Sequence, residues 1–268
     1  MTTDPHTTEP DRGRLLTAHS TVALVLAPLL TVTLHECAHA VAGLALGVTP
    51  TLYAQRVDFD PQPDGTGQII TAAAGPLFSL VLGLALYLLC RRTGRGFVRL
   101  LLLWAGLVSM QNFAGYLIIA PFAQVGDTGR VLSLLAAPTA AYVVAFVVGV
   151  LLQLLNARLL AGQVVRYATG RDELRHLVLF PWLIGTGVAV VLTLLDLTRS
   201  DTPGADVAVI LAGAATLSIF APMFFFFYRR LDQPYERLEL RRPVGPVLVT
   251  VVTALLVFLV LAPGLRLG

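Results

Sequence analysis

Five consecutive residues, His35-Glu36-Cys37-Ala38-His39, hold two imidazoles and a carboxylate at a spacing suited to metal-assisted hydrolysis. On an α-helix, positions four apart stand about 40° apart around the axis, so His35 and His39 share a face and can serve one metal ion. Glu36 falls about 100° from His35, beside such an ion rather than on it. A carboxylate there can take a proton from a water molecule whose pKa a zinc ion lowers toward about 7. Cys37 points away from the histidine face and reads as a packing residue. The competing reading is a chance pattern whose histidines merely bond neighbouring helices. Its setting weakens that reading, because the motif interrupts the apolar run TVALVLAPLLTVTL…AVAGLALGV. An uncompensated charge in the middle of a spanning helix costs about 2.5–3.5 kcal/mol, so such residues usually face a cavity or a partner.

Catalytic zinc takes three protein ligands and keeps one position open. The third must come from elsewhere in the chain. His19 precedes His35 by sixteen residues, about 24 Å along a helix. His176, Glu9, Glu173, Glu236 and Glu239 all fall in arginine-rich segments on the far side. Aspartate remains: Asp127, after the third apolar run, is the leading candidate and Asp196, near the end of the fifth, is the reserve. An ordinary turn residue is the plain alternative for Asp127.

The elements that must position these groups are apolar. Of 268 residues, 56% are hydrophobic and 13% charged, against about 25% charged in an ordinary soluble domain. That composition excludes a water-soluble globule. Apolar runs at 21–47, 69–90, 97–121, 134–161, 177–197, 206–228 and 245–263 are each close to the roughly 20 residues that cross a bilayer, or longer. The expected fold is an all-α polytopic membrane protein of about seven transmembrane helices, with residues 1–14 a disordered cytoplasmic tail. Every one of the nineteen basic residues is an arginine. Seven spans put Arg56, Arg130, Arg199 and Arg266 on one side and the other fifteen on the opposite side, which predicts a cytoplasmic N-terminus. Scattered arginines give no basic tract for nucleic acid, and Cys37 and Cys90 both lie in apolar runs, which fits neither a disulfide framework nor a Cys-rich zinc module. Ala38-His39-Ala40 imitates a signal-peptide cleavage site, but Asp4, Glu9 and Asp11 in the leader and the length of the apolar run argue against one.

Over residues 30–135 the chain resembles the site-2 proteases, intramembrane zinc metalloproteases that cut within or beside membrane helices. The resemblance rests on His35-Glu36-x-x-His39 in a span, Ala74-Gly75-Pro76-Leu77-Phe78 at the start of the next, and Asp127-Thr128-Gly129-Arg130-Val131-Leu132, which is similar to the family's Asp-Gly-Gly-Arg segment. It implies a three-helix metalloprotease core in residues 15–135, with 136–268 as additional spans. It also implies Zn2+ as cofactor, His35, His39 and Asp127 as ligands, Glu36 as general base, and Gly75, Pro76 and Ser79 near the substrate. Ser79 stands where the family often has Asn, and Ile119 and Phe122 occupy the places of its Asn-x-x-Pro, with Asn112 well upstream. The substrate expected is a membrane protein or peptide that opens locally in the bilayer. The alternating stretch Thr51–Phe59 in the connection 49–68 could pair edge-on with it, or be a plain interfacial hairpin. A non-catalytic zinc-binding membrane protein, either a degenerate protease or chaperone-like, is the second reading, and a transporter the third. The resemblance implies a site open to the cytoplasm, whereas the arginine map puts that face outside. Oligomeric state is left open.

Overall fold

The computed structural model describes residues 9–122, 126–198 and 235–268, without the side chains of residues 9–11 and 196. The expected span 206–228 and the side chain of the reserve ligand Asp196 therefore lie outside the described residues.

The chain is predominantly helical: α1 Glu9–Ala45, α2 Gly65–Cys90, α3 Phe97–Ile119, α4 Asp127–Leu134, α5 Thr139–Val164, α6 Arg171–Leu174, α7 Phe180–Leu197 and α8 Val244–Leu256. A π-helical turn joins α6 to α7, and another extends α8. Among the described residues six helices are long and apolar enough to cross a membrane. Their outer faces carry exposed Leu and Val, such as Val81, Leu88, Leu151 and Val252, the pattern of helices solvated by hydrocarbon rather than water.

Two expectations need correction. The chain is not purely helical, because β1 (Thr49–Leu52) and β2 (Val57–Asp60) form an antiparallel hairpin and β3 (Leu265–Arg266) pairs with β1, giving the order β2-β1-β3. The hairpin follows from the alternation in 51–59, whereas β3 is recruited from the far end of the chain. Residues 9–14 are also helical rather than a disordered tail. Arg12 ties this stretch down through an ion pair with Glu173 at 2.5 Å and a hydrogen bond to the Tyr235 hydroxyl.

The interior is built where α1, α3, α5 and the α6–α7 junction meet, around Leu16, Leu24, Leu100, Trp104, Leu160, Tyr167 and Leu177. Trp104 Nε1 donates to Ser20 Oγ at 2.9 Å and Ser20 donates on to the Leu177 carbonyl at 2.6 Å, so one buried hydrogen-bond chain links three elements. Helices α2 and α3 pack backbone to backbone: a Cβ at Gly83 would sit 2.8 Å from the Met110 nitrogen and 3.0 Å from the Gly106 carbonyl oxygen. Small residues permit such an approach between helices in lipid. This contact fixes α2 against α3, and α1 packs on both.

Candidate metal centre

The motif lies in the last third of α1, and the spacing acts as the helix period requires. His35 and His39 turn to one side, with ring centroids 4.7 Å apart, and their Nε2 atoms approach to 3.0 Å. Asp127 opens α4, where a carboxylate also suits the positive end of a helix dipole. Its Oδ2 lies 3.0 Å from His35 Nε2 and 3.2 Å from His39 Nε2. The structure therefore brings together all three ligand candidates, drawn from stretches of chain about ninety residues apart.

The opposite ring edges decide what these atoms can do. His39 Nδ1 is 2.6 Å from the carbonyl oxygen of Thr71, which can only accept, so Nδ1 carries a hydrogen and, in the neutral ring, Nε2 keeps a lone pair. His35 Nδ1 lies 2.9 Å from Ser79 Oγ, and donating there gives the same tautomer. Metal-ligating histidines are commonly oriented by a hydrogen bond of this kind on the other nitrogen. In that tautomer two imidazole lone pairs and a carboxylate oxygen converge with no donor among them, an arrangement that a cation at their centre would satisfy. The spacing suits a small metal ion, since a tetrahedron with bonds of about 2.0–2.1 Å has edges of about 3.3 Å. These three residues could hold a metal ion.

Gly75 keeps that space open. A Cβ there would collide with His39 Nε2 and come within 2.6 Å of His35 Nε2, that is, into the region the ligand atoms face. Pro76 follows within α2 and is buried. Ser79 is fully buried behind His35 and engages its Nδ1, a different position from the substrate contact expected of it. Helix α2 itself begins where Asp64 caps it, its side chain accepting from the Gly67 amide at 2.6 Å, and this sets the height at which Thr71, Gly75 and Ser79 meet α1.

Glu36 is 4% exposed and interacts electrostatically with both histidines and with Asp127. With His39 and Asp127 it lines a cavity of about 390 Å³ that extends along α1 to Val25 and across to β2, where Val57, Asp58 and Phe59 form part of the wall. The residues missed in the sequence are Thr71 and Tyr116. Tyr116 stacks on His35 with ring centroids 5.4 Å apart and planes 7° apart, and it hydrogen-bonds Asp127. Asn112, one turn before it, lines the cavity despite standing upstream of the expected position. The spacing of four between Asn112 and Tyr116 in α3 is a weak signal for Tyr116, in a span that also carries Arg99, Ser109 and Gln111.

Comparison of the chain with protein-family models, with curated proteins and with solved structures gives no match.

Proposed function

We propose that the protein is an intramembrane zinc metalloprotease resembling the site-2 proteases, hydrolysing peptide bonds within or beside membrane-spanning segments. The observation that carries this reading is the convergence of three acceptor atoms, from His35, His39 and Asp127, beside a buried glutamate in a cavity walled by a strand edge. Nitrogen and carboxylate ligands at these separations suit zinc. When bound, zinc supplies the Lewis acidity that polarises a scissile carbonyl and makes water acidic at neutral pH.

The chain's own groups do the rest. Glu36 takes the proton of the attacking water and returns it to the leaving amine, which needs a carboxylate held close to the ligands but not among them. Thr71 and Ser79 hold the imidazoles in one tautomer and orientation. Tyr116 fixes the plane of His35 and steadies Asp127. Among the described residues β2 is an edge strand, and its residues line the cavity. An opened substrate segment pairs with that edge in extended form, since backbone pairing satisfies amides that leave a helix inside the membrane. The N-terminus faces the cytoplasm in this reading, and the hairpin lies on the opposite side.

The test is metal analysis and cleavage of a membrane-embedded peptide by the purified protein and by Glu36→Gln. About one zinc per chain and cleavage lost only in the variant are expected. Unchanged cleavage would remove the mechanism. Zinc without Glu36-dependent cleavage would leave a zinc-binding membrane protein that is not a protease. Reporter fusions at Gly65 and Gly94 test the orientation, and a cytoplasmic signal at Gly65 would reverse it.

A further inference from the structure

A second cavity, of about 440 Å³, lies at the other end of the bundle, where the C-terminal ends of α2 and α5 meet the N-terminal end of α3. Arg91, on its wall, follows Gly75 by sixteen residues along α2, about 24 Å at the helical rise. The two sites therefore share a helix but no atoms.

Four arginines line this cavity, Arg91, Arg99, Arg158 and Arg166, against a single carboxylate, Glu236. That carboxylate is already shared. Arg99 Nη1 donates to it at 2.8 Å, Arg166 approaches at 3.6 Å and Arg95, outside the cavity wall, at 3.9 Å. Arg91 meets a neutral partner, donating to the Tyr87 hydroxyl at 3.2 Å with its guanidinium over the ring. Arg158 has no hydrogen-bond or ion-pair partner among the described residues. Arg99 is 9% exposed, and its Nε–H has no acceptor. Donors thus exceed acceptors on a concave surface, the reverse of the metal centre. Guanidinium forks in that situation are matched by an anion with several oxygens, held through charge-assisted hydrogen bonds.

The remaining wall points to the source of such an anion. Leu155 and Leu159 line the cavity, and Leu155 and Leu151, a turn earlier, are half and more than half exposed, respectively, on the outer flank of α5. A headgroup seated among the arginines leaves its acyl chains along that apolar flank. Basic pockets between spans at a membrane surface suit anionic headgroups in this manner. We propose that this cavity binds a phosphate-bearing anion, the headgroup of an anionic phospholipid.

The full chain, purified in zwitterionic detergent, is offered phosphatidylglycerol or phosphatidylcholine in mixed micelles, and retained lipid is counted by native mass spectrometry. Titration with inorganic phosphate and diphosphate forms the second arm. Phosphatidylglycerol should be retained at least about tenfold more tightly than phosphatidylcholine, and the double variant Arg91→Gln/Arg158→Gln should weaken it about 30-fold, given the usual contribution of each arginine at an anionic surface. The Arg91→Lys/Arg158→Lys chain should keep most of the preference. Wild-type metal content reports that each variant is folded, and Arg158→Gln alone, at an exposed position, serves if the double variant is not. Binding of diphosphate with the same arginine dependence but no lipid preference would overturn the lipid source and keep the phosphate chemistry. Equal retention of both lipids without phosphate binding, or anion binding that the variants leave intact, would overturn the site.

Discussion

The two ends of the bundle are built from opposite imbalances. At the α1–α2–α4 end, two imidazole nitrogens and a carboxylate oxygen crowd within 3.0–3.2 Å of one another, all of them able to accept. At the α2–α3–α5 end, arginines surround one carboxylate, and at least one buried N–H is left over. In a low-dielectric interior an unmatched polar group is costly, so a surplus of acceptors calls for a cation and a surplus of donors for an anion. The difference teaches that the sign of the surplus, more than residue identity, says what a site is built to hold. Both surpluses are preorganised by neighbouring groups: Thr71, Ser79 and Tyr116 at one end, Tyr87 and Tyr167 at the other.

The sharpest way to break this comparison is at Glu36, among the described residues the one acidic group beside the acceptor cluster that is not part of it. Glu36→Gln keeps shape and burial but cannot take a proton. Cleavage should fall by about 10²–10⁴, the usual contribution of a positioned base, while bound metal stays at the wild-type level. Loss of metal together with activity would make Glu36 a fourth member of the cluster and end its separate role.

A smaller effect is expected at Ser79. If its hydroxyl orients His35, as their 2.9 Å separation indicates, Ser79→Ala should weaken zinc binding about 10–100-fold in a chelator competition, with activity restored when metal is saturating. A residue that instead contacts substrate would raise KM and leave metal affinity alone. The two outcomes separate the position found in the structure from the one that the resemblance implies.

What could be read in the sequence follows the range of the forces involved. His35, Glu36 and His39 were legible because helical periodicity alone sets their relation. Asp127 was legible by elimination, since so few acidic residues lie near the right end of a span. Thr71 was not, because it acts through a backbone carbonyl that every residue type carries. Tyr116 was not, because ring stacking on His35 depends on how α3 packs against α1. The pairing of β3 with β1 and the capture of Arg12 by Glu173 join residues more than 150 positions apart, and no local pattern encodes either. The spans themselves were legible from composition, and helix α1 simply continues further toward the N-terminus than its apolar stretch.

At the donor-rich end, Glu236→Gln removes the charge that Arg99, Arg166 and Arg95 share. The carboxylate is only partly buried, so the cost to thermal stability in detergent should be modest, about 1–2 kcal/mol. Retention of anionic lipid should rise at the same time, because the arginines lose a competitor. A fall in both would mean that Glu236 builds the cavity rather than competes for it.

The smallest expected effect tests whether the two ends are independent. Removing the metal with a chelator should change retention of phosphatidylglycerol by less than about twofold, since binding at two sites is coupled only through a structure that both ligands bias. The element joining them is α2, which carries Gly75 near its middle and is followed directly by Arg91. Its contact with α3 at Gly83 and Gly106 brings the two backbones together, with Gly83 also seated against the Met110 side chain. A helix clamped at its middle in this way passes little between its ends. By reciprocity, added anionic lipid should leave zinc affinity equally unmoved. A tenfold change in either direction would show that α2 slides along α3 and that the opposite surpluses at its two ends are set against each other.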